Sequence, residues 1–128
     1  MADRPRPTEA ELGILGVLWD QGPSTVRQVH EALAQSRETG YTTTLKLMQI
    51  MAEKRLVGRD ESARTHVYSA RASREDTQRQ LLSDLMDRVF GGSAAALVLQ
   101  AISAQPASAE EIKKIRKLID EHRKAGRR

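Results

Sequence analysis

The sequence predicts a mostly α-helical protein in which three helices, a two-stranded β-hairpin and three further helices follow one another. Aromatic residues make up 3% of the 128-residue chain and apolar residues 39%, so aliphatic side chains and Met must build the core, as is common in helical proteins. Apolar residues recur at helical spacing in most of the chain. The exception is residues 56–69, where two short runs are β-prone.

Two capping boxes mark the starts of the first two helices. Thr8 with Glu11, and Thr25 with Gln28, have the spacing at which side-chain oxygens accept hydrogen bonds from free backbone N–H groups. Gly22-Pro23 cannot continue a helix and separates the two. The sequence therefore predicts two short, well-capped helices at the N-terminus.

The third helix is predicted to begin near Thr42, which would cap it. At about 100° per residue, Thr44 and Met48 fall on an inner face, while the opposite face is polar. Residues 40–72 carry six basic residues against three acidic ones, and the whole chain has a net charge of +4 and a pI near 9.8. This balance favours an anionic partner.

The β-prone residues 56–59 and 65–69 flank a turn-like stretch, residues 60–64. Three helices followed by such a hairpin are typical of a winged helix, whose third helix can enter the major groove of double-stranded DNA. Short polar and cationic side chains suit base edges and phosphates. The candidate DNA-binding residues on this ground are Tyr41, Thr42, Thr43, Lys46, Gln49, Arg59 and Arg64.

The remainder, residues 73–128, is predicted to form three helices separated by Gly91-Gly92 and by Gln105-Pro106, followed by a basic tail at 123–128. Its apolar stripes are too many for so small a unit to bury alone. We therefore expect a homodimer, with residues 1–72 binding DNA and residues 73–128 dimerising. A monomeric three-helix bundle is the alternative. The candidate dimerisation residues are Leu82, Leu85, Met86, Val89, Phe90, Leu97, Leu99, Ile112, Ile115 and Ile119.

Several kinds of site have no support in the sequence. The chain has no cysteine, which removes disulfides and thiolate ligands. His30-Glu31 begins a zinc-protease pattern, but Ala34 stands where its second histidine belongs. We expect no metal, no cofactor and no enzymatic activity. No signal peptide or long apolar run occurs, so a cytoplasmic protein without membrane insertion is expected.

Five stretches, taken together in their order and spacing, resemble the penicillinase repressor family. They are Glu11-Leu12 with Leu18-Trp19, Thr25-Val26-Arg27-Gln28-Val29, Tyr41-Thr42-Thr43-Thr44 with Leu47-Met48, Ala52-Glu53-Lys54-Arg55-Leu56-Val57, and His66-Val67-Tyr68. The resemblance implies a homodimeric transcriptional repressor that binds palindromic operator DNA and regulates antibiotic-resistance or related operons. It also implies that Thr42, Thr43 and Lys46 contact bases or phosphates and that Arg64 contacts flanking DNA.

The chain departs from the family pattern at three places. Relatives often have an arginine where this chain has Ile50, and the resemblance makes Ile50 the eighth candidate DNA-binding residue. Relatives also often have a glycine where this chain has Arg55. The best-known relatives are induced when a membrane sensor protease triggers cleavage at an Asn-Phe bond; here Gln100 and Ala101 occupy the matching positions and form the candidate cleavage site. A winged helix that binds a protein partner, without specific DNA binding, remains the alternative function.

Overall fold

The structure is a computed structural model that describes residues 6–126. Its elements are α1 (Glu9–Gln21), α2 (Val26–Ala34), α3 (Tyr41–Glu53), β1 (Val57–Asp60), β2 (Val67–Ala70), α4 (Arg74–Val89), α5 (Ala94–Ala104) and α6 (Ala109–Ala125). This order confirms the predicted mostly α-helical class, with three helices and a hairpin before three further helices.

Both predicted capping boxes are present. The Thr8 backbone N–H donates to Glu11 Oε1 at 2.8 Å, and the Glu11 N–H donates to Thr8 Oγ1 at 3.2 Å. Thr25 and Gln28 make the same pair of bonds at 2.9 and 3.2 Å. Each box satisfies two N–H groups that have no partner inside the helix.

The start of α3 differs from the prediction. Gly40, not Thr42, is the N-cap, and no side chain caps the helix. The Gly40 carbonyl accepts the Thr44 N–H at 3.1 Å and the Thr44 hydroxyl at 3.2 Å, so the first turn closes earlier than expected. Thr42 lies inside the helix and is exposed. The predicted capping role of Thr42 is therefore wrong.

One hydrophobic core joins α1, α2, α3 and the hairpin. Aliphatic and methionine side chains dominate it, and Tyr68 from β2 is its one aromatic member among the described residues. The buried apolar side chains are Ile14, Leu15, Leu18, Val26, Val29, Leu33, Met48, Met51, Leu56, Val57 and Tyr68. This core fixes the faces that α2, α3 and the hairpin present to solvent.

Strands β1 and β2 pair antiparallel, with Val57 opposite Ala70 and Asp60 opposite Val67. The strands were predicted at residues 56–59 and 65–69 and lie at 57–60 and 67–70, so the turn between them also lies later than predicted. Ser24 adds a third piece to this sheet. Its N–H donates to the Tyr68 carbonyl at 2.9 Å, and its carbonyl accepts the Tyr68 N–H at 2.8 Å. The hairpin is therefore tied to the segment between α1 and α2.

The chain folds into two compact units, Met1–Leu82 and Ser83–Arg128. The first unit includes the start of α4, because Trp19 Nε1 donates to the Ala72 carbonyl at 2.9 Å and Arg74 pairs with Asp20 while lying over the Trp19 ring. Thr77 is the last buried residue along the described chain. The functional boundary at residue 72 remains a sequence-based prediction.

The second unit buries none of its described side chains fully. Helix α6 extends to Ala125, so Arg123 and Lys124 of the predicted basic tail belong to its last turn, where cations interact favourably with the helix dipole. The last two tail residues lie outside the described residues. Across residues 6–126 no single helix is long and apolar enough to span a membrane. Helices α4 and α5 reach the required length and apolar composition only together, as a sharply bent pair.

Candidate nucleic-acid interface

The buried residues of α3 determine which of its side chains face outward. Thr44, Met48 and Met51 are buried in the core. With about 100° between successive residues, the opposite side of the helix carries Thr42, Lys46 and Glu53, all of them exposed. This face combines a hydroxyl, an ammonium group and a carboxylate. It has the hydrogen-bonding chemistry that base edges require.

A groove of about 490 Å³ separates one flank of α3 from the hairpin. It is lined mostly by hydrogen-bonding and cationic side chains, including Arg27, Tyr41, Gln49, Arg64 and His66. The structure thus brings together three of the predicted residues, Tyr41, Gln49 and Arg64. Among the described residues, Arg64 has no acidic partner. The groove therefore has the charge and the open shape that a phosphate backbone needs.

Arg27 and His66 belong to this groove but were not among the predicted residues. Arg27 lies in the first turn of α2, and its guanidinium carbon stands 5.5 Å from the centroid of the Tyr41 ring. His30 meets the same ring edge-on at 5.8 Å. These contacts across two helices fix the direction of the Tyr41 side chain. Sequence spacing gave no signal for Arg27, because a basic residue on an outer helix face is common in any soluble protein.

The hairpin holds its two predicted arginines differently. Arg59 Nε lies 3.6 Å from Glu61 Oε2, and the Tyr68 hydroxyl and Glu61 together raise the pKa of its guanidinium. Arg59 also lines a hollow with Gln49 and Glu53, so it faces the C-terminal half of α3. Arg64, in the turn, is exposed. Arg64 is consequently the freer of the two to reach a partner.

An aspartate shapes the turn between the strands. The Ser62 N–H donates to Asp60 Oδ1 at 2.9 Å, which forms the local turn expected of an Asp at this position. The hydrogen bonds from Ser62 lower the pKa of Asp60. The carboxylate thus stays charged and keeps the turn closed in the ordinary pH range.

The other flank of α3 carries Thr43 and Ile50 and faces away from the hairpin. Thr43 lines a hollow of about 250 Å³ together with Arg37, Gly40 and Leu47. Ile50, about two turns further along, is exposed. The eight predicted DNA-binding residues are therefore spread over the outer face of α3, its two flanks and the adjoining hairpin.

Half of the ten predicted dimerisation residues are exposed, and none of them is fully buried. Leu82, Leu85, Val89, Leu99 and Ile119 are exposed. The other five are Met86, Phe90, Leu97, Ile112 and Ile115, which are partly buried. Both residues of the candidate cleavage site are exposed and helical, within α5. Over residues 6–126, no group of three or more His, Asp or Glu side chains could hold a metal ion.

The match to a protein-family model decides the identity of the chain. This family model, whose description is penicillinase repressor, matches residues 7–121 of the chain. The chain belongs to the penicillinase repressor family. Membership in this family confirms the resemblance seen in the sequence. It also identifies the chain as a transcriptional regulator of a repressor family rather than an enzyme.

Relatives of the penicillinase repressor family match along most of their length. The transcriptional regulator BlaI of Mycobacterium tuberculosis is 34% identical over 114 residues, which cover 85% of this chain and 83% of the relative. The penicillinase repressor of Bacillus licheniformis is 20% identical, and the match covers 93% of both chains. The penicillinase repressor of Staphylococcus aureus is 18% identical, and that match covers 88% of this chain and 89% of the relative.

A solved structure supports the fold of the N-terminal part. The solution structure of the DNA-binding domain of the repressor BlaI matches with a TM-score of 0.52 at 20% identity, covering 59% of this chain and 93% of that one. The three helices and the hairpin are therefore a winged helix, as the sequence predicted. Helix α3 stands in the position that is called the recognition helix of a winged helix, and the β1–β2 hairpin stands in that of the wing; both names are used here for position.

Proposed function

We propose that this penicillinase repressor homologue is a homodimeric transcriptional repressor that binds palindromic operator DNA. One observation carries the proposal: the polar outer face of the recognition helix borders a groove containing Arg27 and Arg64. A duplex with its major groove on α3 would place a phosphate strand along this groove. The DNA-binding part comprises residues 1–72.

Each residue of the interface then has a role that follows from its chemistry. The residues that face base edges or the phosphates beside them are Thr42, Thr43, Lys46, Gln49 and Ile50. Those that face the sugar-phosphate strands, where they add affinity and salt dependence but little sequence information, are Arg27, Tyr41, Arg59 and Arg64. The carboxylate of Glu53 opposes phosphates nearby and so helps to restrict where α3 can lie.

The dimer would be formed by residues 73–128, through the ten apolar residues predicted from the sequence. Eight large apolar side chains from Leu82 onward are exposed in the described part of the single chain. So much exposed apolar surface within one short part of the chain is typical of a protein-binding face. A second copy of this chain is the partner, because two recognition helices must face two half-sites of a palindrome.

We also propose how repression is released. After a signal from a membrane sensor protease, the chain would be cleaved in the cytoplasm, between Gln100 and Ala101. Support comes from the exposure of both residues and from their place between the two halves of the dimerisation region. Cutting there would separate α6 from the rest of the chain. The helical backbone of α5 would have to unwind locally before a protease could bind it.

The proposal is tested by fluorescence-anisotropy titration of the full chain against a library-selected duplex and a scrambled duplex at two salt concentrations. We expect tight binding to the selected duplex, two chains per site, and a loss of orders of magnitude in affinity over a few-fold rise in salt. The variant Lys46→Ala should bind more weakly, and Lys113→Ala, on α6, should bind like the parent. Equal, salt-insensitive binding to both duplexes would contradict the proposal and favour a protein partner.

A further inference from the structure

Ile50 is an exposed aliphatic residue on the solvent-facing surface of α3, where most other exposed side chains can form hydrogen bonds. Among described residues that precede Leu82, only Tyr41 and Ile50 are large, apolar or aromatic, and exposed. The Tyr41 ring is in contact with Arg27 and His30. Ile50 has 37% of its surface exposed. Its exposed surface is available for a partner of α3.

Ile50 is not needed to fill the core. Met48 and Met51, close to it in the sequence, are fully buried and provide the core contacts of this part of α3. Ile50 points about 100° away from each neighbouring residue, towards the flank of Thr43. A contact with a partner outside the folded chain therefore explains the position of Ile50 better than packing within the chain does.

The flank on which Ile50 lies is the one remote from the wing. The opposite flank, with Tyr41 and Gln49, borders the groove that also contains Arg64. Thr43, on the side of Ile50, borders a separate hollow with Arg37. A duplex along α3 thus meets the wing on one side of each half-site and Ile50 on the other.

We propose that Ile50 contacts the C5-methyl group of a thymine in the major groove, on the side of each half-site that is remote from the wing. Thymine is the only standard base that carries an apolar group on its major-groove edge, so an aliphatic side chain distinguishes it from the others. This inference rests on the proposed DNA-binding function and assigns it one specificity-determining residue.

The test replaces each thymine of the selected duplex, one at a time, by deoxyuridine, which removes only the methyl group. For the parent protein, one thymine per half-site should be sensitive, with about a fourfold loss of affinity if a methyl group contributes about 0.8 kcal/mol. The variant Ile50→Ala should bind more weakly and lose this sensitivity. Ile50→Val, which keeps a branched aliphatic side chain, should retain most of it.

The position of the sensitive thymine provides a second readout. The chain has no cysteine. In the variant Ala63→Cys, an iron chelate that reacts with thiols therefore attaches only at the wing turn, where it cleaves the nearby DNA backbone. The sensitive thymine should lie on the side of the half-site opposite to the cleaved backbone. A sensitive thymine beside the cleaved position would overturn the assignment.

Failure of this inference differs from failure of the proposed function. If the parent binds the selected duplex but no uracil substitution weakens it, or if Ile50→Ala keeps the same sensitivity, the thymine contact is wrong and DNA binding stands. If the parent selects no duplex at all, both are overturned. Thermal unfolding of each variant should match the parent, because Ile50 is not part of the core.

Discussion

Glu11 and Lys54 form an ion pair that joins the first turn of α1 to the end of the recognition helix. Lys54 Nζ lies 2.9 Å from Glu11 Oε2, and the Glu11 side chain is only 2% exposed. The other carboxylate oxygen accepts the Thr8 N–H. One buried carboxylate thus caps α1 and fixes the C-terminal end of α3, the helix proposed to read DNA.

This pair should make stability depend on pH. Burial raises the pKa of Glu11, but the hydrogen bonds from Lys54 and Thr8 outweigh it and lower the pKa below its ordinary value. A lowered pKa in the folded state means that the unfolded chain binds the proton more tightly. The contribution of the pair is therefore complete above the unfolded-state pKa of about 4.3, and it is lost as the pH falls through the lower folded-state pKa.

We expect Glu11→Gln to lower the free energy of unfolding at pH 7 by about 1.5–3 kcal/mol, the range for hydrogen bonds to charged groups. The difference from the parent should shrink below about pH 4.3. Urea unfolding at a series of pH values measures it. Glu9→Gln, in the same turn but exposed, is the control and should have little effect. A difference that stays constant as the pH falls below the folded-state pKa would contradict the assigned role of the charge.

Replacing Arg55 by glycine should stabilise the protein. Arg55 is the only described residue other than glycine with a positive φ, 66°. It follows the recognition helix in a Schellman motif, with the Leu56 N–H donating to the Met51 carbonyl at 2.9 Å and the Arg55 N–H to the Ala52 carbonyl at 3.1 Å. Glycine adopts this conformation without the steric penalty of a Cβ atom.

We expect Arg55→Gly to raise the free energy of unfolding by about 0.5–1 kcal/mol. Glu53→Gly, in the ordinary helical conformation two residues earlier, should lower it by about 1 kcal/mol. Thermal or urea unfolding distinguishes the two. A destabilised Arg55→Gly variant would mean that the arginine side chain makes a contribution larger than the backbone penalty.

Removing Arg27 should weaken DNA binding evenly across sequences. Its guanidinium lies in the groove beside the wing, where it would contact a phosphate and not a base. Each phosphate contact contributes about 0.9 to the slope of log K against log salt. A dimer of Arg27→Ala should therefore lose about two units of slope, while discrimination between selected and scrambled duplexes persists. Arg116→Ala on α6 is the matched control. An unchanged slope would remove Arg27 from the interface.

The proposed dimer should make thermal stability depend on protein concentration. If the apolar side chains of residues 73–128 become buried only between two copies, the melting temperature rises with concentration by mass action. We expect Leu85→Asp and Ile119→Asp to yield monomers in sedimentation equilibrium, because a carboxylate would be buried without a partner. Arg88→Ala, an exposed residue on the same helix as Leu85, should leave the dimer intact. A parent protein that sediments as a monomer would rule out the dimer.

The order of elements could be predicted because local rules determined it. Thr8 and Thr25 each cap a helix as their spacing indicated. The start of α3 could not be predicted from the same rules, because Thr42 is an acceptable cap and only the closure of the first turn on Gly40 excludes it. Propensity alone does not rank two neighbouring candidates.

The outer face of the recognition helix was also predictable, since the buried side of an amphipathic helix defines its exposed side. The contact between Arg27 and Tyr41 was not, because it joins two helices whose relative packing depends on the whole core. The pairing of Ser24 with Tyr68 was missed for the same reason. Contacts between distant residues, unlike caps, have no fixed spacing in the sequence.

The two hydrogen bonds between Ser24 and Tyr68 have a consequence for how operators are chosen. They hold the wing against the segment that leads into α2, so the span between wing and recognition helix is set before DNA arrives. A duplex must then adjust its own groove width and curvature to fit this span. Base steps that bend easily are favoured even where no side chain touches them. We therefore expect operator preference to extend to the intrinsic shape of the base pairs beneath the wing.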